Sequence, residues 1–182
     1  MKPDDTNALS PNEHSKYRRA VEMLQWIVST RPDVAFATKE RARALAAPTN
    51  GDMNALRHLV RYHRTTADYE LNLHPKARTR VPGGEPDLFS IEAYSDSDWA
   101  GCRRTARSTS GGAICYGIHL LKSWSATQKN ITLSSAEAEL VAAVKTCSEA
   151  LGALQLAYDW GIQLNAKVFV DSSAAIGVAS RK

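Results

Sequence analysis

The chain has 182 residues, 43 % of them hydrophobic and 23 % charged, and carries a net charge of +4. That is the composition of an ordinary globular protein, without the ~20-residue apolar run of a membrane span or the apolar stretch of a signal peptide near Met1, so no membrane partner is expected. Cys102, Cys115 and Cys147 are odd in number, far apart and free of a Cys-x-x-Cys pair, which argues against a disulfide framework or a zinc site and for a reduced intracellular setting. Residues 1–88 hold 14 Lys/Arg against 11 Asp/Glu, and residues 89–182 hold 9 against 8. So mild an excess permits a nucleic-acid partner without arguing for one.

In chain order, residues 1–12 are polar, contain two prolines and read as a loose lead-in. A helix is predicted from His14 to Thr30, with Val21, Leu24, Ile27 and Val28 at helical spacing and Pro32 as its stop. A second helix fits Asp33 to Ala47, ended by Pro48 and Asn50-Gly51, and a third fits Asp52 to Tyr62. Short alternation from Tyr69 to Leu73 reads as a strand. Residues 13–74 thus form a mainly helical segment. The Pro, Gly and Arg-rich stretch that follows, closing on Val81-Pro-Gly-Gly-Glu-Pro86, makes 75–88 the best linker in the chain.

Residues 89–182 follow a different pattern. Phe89 to Ser95 reads as a strand, and Gly111 to Gly117 with His119 to Ser125 as a hairpin. Ser134 to Trp160 is the longest helix, with Leu140, Val144, Cys147, Leu151, Leu154 and Tyr158 on one face as its expected core side. Gly161 closes it. Lys167 to Asp171 is a fourth strand, and Ser172 to Ser180 begins another helix. A right-handed crossover would set the fourth strand beside the first. The fold class is α/β, a mixed sheet of three antiparallel strands plus a parallel fourth, with a crossover helix and a preceding helical segment.

Three acidic residues in this second part share one chemistry. Asp96 lies near the end of the first strand, Glu139 near the start of the long helix, and Asp171 at the end of the fourth strand. A right-handed crossover brings them together, and hard carboxylate oxygens suit a pair of magnesium ions. Two such ions stabilise the attacking and leaving oxygens of a phosphodiester displacement, so the pattern points to a nuclease. Each acid has a neighbour. Ser134 and Glu137 are spaced as a capping box, which gives Glu137 a structural task and leaves Glu139 for metal. Strand alternation puts Asp98 on the same face as Asp96, so spacing does not separate them. Asp98 is nearer the strand's end, where bracing the Trp99-Ala-Gly101 turn would occupy it.

The run Tyr94-Ser-Asp-Ser-Asp-Trp-Ala-Gly101, then Arg107-Ser-Thr-Ser-Gly111 and Ser123-Trp-Ser125, resembles the ribonuclease H domain of copia-type retrotransposon Pol polyproteins. Leu133-Ser-Ser-Ala-Glu-Ala-Glu139 and Phe169-Val-Asp171 with Ala174-Ala-Ile176 continue the resemblance in the same order. Upstream, Tyr17-Arg18, Thr30-Arg-Pro-Asp-Val-Ala-Phe-Ala37 and Leu59-Val-Arg-Tyr62 resemble the end of the reverse transcriptase before that domain. The resemblance implies that Asp96, Glu139 and Asp171 hold two Mg2+ ions, which Mn2+ can replace. It implies cleavage of the RNA strand of an RNA–DNA hybrid during reverse transcription, and the rest of the Pol polyprotein as partner. The expected location is cytoplasmic, virus-like particles included. Cys102 stands where the family usually has an acid. The family's last strand, final helix and fourth catalytic position are expected beyond Lys182, which would make 89–182 an incomplete domain.

Arg103, Arg104 and Arg107 are candidates for phosphate contact, and Ser108, Thr109 and Ser110 for backbone or ribose hydroxyls of a nucleic acid. A turn role remains open for all three hydroxyls. Arg57, Arg61 and Arg64 fall on one helix face, either along phosphates or in solvent. Trp99 and Trp124 read as core aromatics. Two other functions stay in view: a catalytically inactive nucleic-acid-binding fragment of a degenerate polyprotein, and a transposase or integrase. The latter would place its Glu after both Asp residues, whereas here it lies between them.

Overall fold

The computed structural model describes residues 5–71, 73, 89–102 and 105–180. The chain forms two compact units, Met1–Leu71 and Asn72–Lys182. The expected linker at 75–88 lies outside the described residues, as do Arg103 and Arg104.

The first unit is helical. Helix α1 spans Pro11–Ile27, opened by a Ser10–Glu13 capping box and by Pro11, whose missing amide costs nothing in a first turn. Helix α3 spans Asn50–Thr65 behind a second box, Thr49–Asp52. Between them a 3-10 turn at Pro32–Val34 leads into a short α2, Ala35–Ala42. The longer helix expected over Asp33–Ala47 is therefore split and shortened. Beyond Ala42 the amides of Ala44, Leu45 and Ala47 bond three residues back, a tightening toward Pro48 that leaves the Leu45 carbonyl 2.8 Å from Nε2 of His14. Tyr17, Val21, Leu24, Val34, Leu56 and Leu59 make the core. Burial pushes the Tyr17 hydroxyl up to about 12, and that group donates to the Arg41 carbonyl at 2.8 Å.

Two further expectations fail here. The lead-in is tied down from Asp5 onward: the amides of Leu9 and Asn50 bond to Pro48 and Asn7, and Ala8 bridges Thr49. Tyr69–Leu71 is irregular rather than a strand. Its Tyr69 amide bonds to the Thr66 carbonyl at 3.2 Å, and the Tyr69 ring lies 5.5 Å from the Arg31 guanidinium.

The second unit is a four-stranded sheet in the order β3-β2-β1-β4. Strand β1 is Ser90–Asp98, β2 Thr109–Tyr116, β3 His119–Thr127 and β4 Asn165–Val170. The first three form an antiparallel meander, and β4 lies parallel to β1 with Ser90 opposite Asn165 and Ser95 opposite Val170. Gly117, at φ 58°, supplies the left-handed residue of the two-residue turn between β2 and β3. Across β1 and β4, Tyr94 and Phe169 stack with ring centroids 5.1 Å apart. Helix α4, Ser135–Asp159, makes the crossover, and α5 spans Ser173–Ala179. The right-handed connection rule thus gave the strand order correctly.

The face of α4 was misjudged. Its buried residues are Ala138, Ala142, Thr146, Ala150 and Ala157, and Leu154 alone of the predicted stripe packs into the sheet cluster with Ile91, Ala93 and Ile114. Val144, Leu151 and Tyr158 are 60 %, 65 % and 66 % exposed. The reason lies in Trp124. Its ring lies so close over Gly112 that a Cβ there would sit 2.1 Å from Cζ2, and the indole fills space between sheet and helix. Alanines let the helix approach a sheet already carrying that bulk. By length and composition α4 would also be able to cross a membrane, which run length in the sequence did not anticipate. Here its small-residue face lies on the sheet.

Candidate metal centre

Pairing geometry brings the three acids to one place. Asp96 is in β1, opposite Gly111 of β2, while Asp171 directly follows Val170, the partner of Ser95. The two Asp residues therefore lie at the same end of neighbouring parallel strands, Asp96 within the last three residues of β1 and Asp171 just past β4. Glu139 enters from above because Ser134 caps α4: its hydroxyl accepts from the Glu137 amide at 3.2 Å. One carboxylate oxygen from each of Asp96, Glu139 and Asp171 lies within 4.8 Å of the other two. Asp96 and Asp171 are exposed at the surface, and Glu139 is partly buried.

The neighbouring acids do other work. Glu137 accepts from the Leu133 amide at 2.7 Å and stays with the helix cap, one residue earlier than a standard box would bond. The Asp98 carboxylate sits against Gly101, where a Cβ would fall 1.7 Å from its Oδ2. That close approach leaves no room for a side chain at position 101, next to Ala100 with its φ of 52°.

Glu139 is held asymmetrically. Its Oε1 accepts from the Ser97 hydroxyl at 2.7 Å and the Ser97 amide at 3.2 Å. Its Oε2 is buried and has no protein partner. An ionised oxygen in that state is costly unless something positive meets it. A divalent cation fits this donor set: a hard oxygen from each of three carboxylates, two of them on exposed residues and one on a residue with a buried, unpartnered oxygen.

The hydroxyls proposed for nucleic acid are turned inward. Ser108, Thr109 and Ser110 are all buried. Ser108 Oγ accepts from the Ala100 amide at 3.0 Å and lies 2.9 Å from the Thr132 hydroxyl. Ser110 Oγ accepts from Gln128 Nε2 at 3.0 Å, and the same amide group donates to the Ala138 carbonyl at 2.9 Å. These groups clamp the start of α4 to the sheet instead of facing a ligand. Arg107 is exposed. Trp99 is not a core aromatic: it is 48 % exposed and donates to the Thr132 carbonyl at 3.2 Å. On α3, Arg57, Arg61 and Arg64 are exposed. Sequence reasoning missed Ser97, Gln128 and Thr132. Ser97, lying between two Asp residues, offered a signal; the other two offered none, since their partners are distant in sequence.

Three known proteins resemble the chain over most of its length. The retrovirus-related Pol polyproteins from transposons RE2 and RE1 of Arabidopsis thaliana are 34 % and 33 % identical over 83 % and 82 % of the chain. The chain covers 10 % of the length of each. The uncharacterized mitochondrial protein AtMg00810 of Arabidopsis thaliana is 33 % identical over 74 % of the chain and 52 % of its own length. No protein-family model and no solved structure matches it.

Proposed function

Because the chain belongs with the retrovirus-related Pol polyproteins of transposons, as a segment about a tenth of their length, we propose that it is their hybrid-cleaving part. On this reading residues 89–182 form a copia-type ribonuclease H domain that hydrolyses the RNA strand of RNA–DNA hybrids, and the first unit is the end of the reverse transcriptase. The observation that carries it is the meeting of the Asp96, Glu139 and Asp171 carboxylates on a mixed sheet of matching topology. Asp96, Glu139 and Asp171 would hold two Mg2+ ions, with Mn2+ as a substitute. Bound there, the metals would activate water and stabilise the leaving 3′ oxygen. The chain's own share is placement: two strand ends fix the Asp carboxylates, and the capped helix brings Glu139 between them. Hybrid shape and ribose hydroxyls, rather than base sequence, would select the substrate.

A labelled hybrid incubated with the 182-residue chain in Mg2+ and in Mn2+ tests this. Cleavage confined to the RNA strand is expected, lowered about a hundredfold or more in Asp96→Asn, Glu139→Gln and Asp171→Asn, as for loss of any main electrostatic stabiliser of a transition state. Binding of the hybrid without metal-dependent cleavage would favour the inactive nucleic-acid-binding fragment instead.

A further inference from the structure

We propose that Ser97 is a positioning residue for the metal centre, gripping Oε1 of Glu139 so that Oε2 is the one ligand atom this carboxylate presents. The proposal rests on the metal-dependent reading above and goes beyond its three carboxylates. Ser97 gives Glu139 two donors, hydroxyl at 2.7 Å and amide at 3.2 Å, and both fall on the same oxygen. An O···O distance of about 2.7 Å is good hydroxyl hydrogen-bond geometry, and a carboxylate is a stronger acceptor than a neutral oxygen. The remaining oxygen is buried without a partner, and the carboxylate to which it belongs has an oxygen within 4.8 Å of one each from Asp96 and Asp171.

The covalent arrangement adds to this. Ser97 directly follows Asp96, so the peptide unit joining them carries the amide that holds Glu139. Movement of one ligand therefore moves the grip on another, and the distance between strand and helix carboxylates is fixed through a single residue. A free Glu side chain has three torsions to order before it can ligate; here two bonds have already ordered it. Partners of this kind, which touch a ligand residue and not the metal, typically change metal affinity ten- to a hundredfold when removed. Because Ser97→Ala keeps the amide and loses only the hydroxyl, the lower end of that range applies.

A plain strand-to-helix tie would use the same two bonds, and metal affinity separates the two roles. Mn2+ titration by calorimetry is run on wild type, Ser97→Ala, Ser97→Thr, Ser97→Cys and Asp96→Asn, with melting in EDTA to compare the folds. The expected result is about tenfold weaker Mn2+ binding in Ser97→Ala and Ser97→Cys, and binding within twofold of wild type in Ser97→Thr. Cys is close to Ser in size and only a weak donor, so it weakens the bond without the void that Ala leaves. Unchanged affinity in Ser97→Ala or Ser97→Cys, even with a lowered melting temperature in EDTA, overturns the positioning role while leaving the metal centre in place. Wild type that is folded but binds no Mn2+, or binds it as Asp96→Asn does, overturns the metal centre and this role with it.

Discussion

Arg31 and Asp33 show how single residues hold the first unit. Arg31 Nε and Nη2 donate to the two Asp33 oxygens at 3.0 and 2.8 Å, and Arg31 also reaches the Thr66 carbonyl and hydroxyl. The Tyr62 hydroxyl donates to Asp33 at 3.0 Å. Arg31's hydrogen bonds, followed by that of Tyr62, keep the Asp33 carboxyl below the usual carboxylate range although burial opposes them. A depressed folded pKa means the carboxylate stabilises the fold above its unfolded value of about 3.9 and ceases to do so as pH falls through the lower folded value. Asp33→Asn is expected to lower stability by about 1 kcal/mol at pH 7, a figure kept small because the pair's rim meets solvent. The difference from wild type should shrink on acidification below about pH 4. Urea titrations of both proteins at pH 7 and pH 3 check it, and a gap of constant size would remove Asp33 from this role. The sequence showed Arg31-Pro-Asp33 only as part of a resemblance; its partners Tyr62 and Thr66 lie a helix away, where local pattern does not reach.

Among the elements, β1 and β4 were legible and the inner face of α4 was not. A strand alternates with a period of two, which located β1 and β4, although β1 runs on through Asp96 to Asp98 where the change in polarity had suggested an end at Ser95; the meeting of Asp96 and Asp171 followed from connection handedness. A helix shows which residues share a face, but not which face meets the sheet. Leu140, Val144, Cys147, Leu151, Leu154 and Tyr158 form the larger apolar stripe, and size was the only guide available in one dimension. The sheet beneath already carried Trp124, which left room for alanine. Two substitutions separate the faces. Ala142→Leu, on the buried side, is expected to cost about 1–3 kcal/mol by overpacking. Leu151→Glu, on the exposed side, should change stability by less than about 0.5 kcal/mol. It should also reduce self-association, because Val144, Leu151 and Tyr158 form one exposed apolar stripe along a single helix. Denaturant melts and size-exclusion elution across a concentration series measure both, and a large loss on Leu151→Glu would restore the stripe to the core.

For the molecule as a whole, the strand order sets when the cluster of three carboxylates comes into being. Strands β1, β2 and β3 are neighbours in sequence and close as a meander, whereas β4 reaches β1 only after the whole of α4 has been laid across the sheet. Pairings of long sequence separation pay the larger loop-closure entropy and are the slower to form. Asp96 and the β1–β2 pairing are then in place before Asp171, which arrives with the last strand. On the proposed metal-dependent reading, a cation that needs all three carboxylates would have nothing complete to bind until that moment, and would act as a latch closed from outside once folding has finished. Interactions absent from the transition state slow unfolding and leave the folding rate alone. Saturating Mg2+ should therefore lower the unfolding limb of the chevron by about a hundredfold at a hundredfold excess over its dissociation constant, with the refolding limb unmoved. Acceleration of refolding by metal would mean that Asp171 docks early and that β4, despite its distance along the chain, belongs to the folding nucleus.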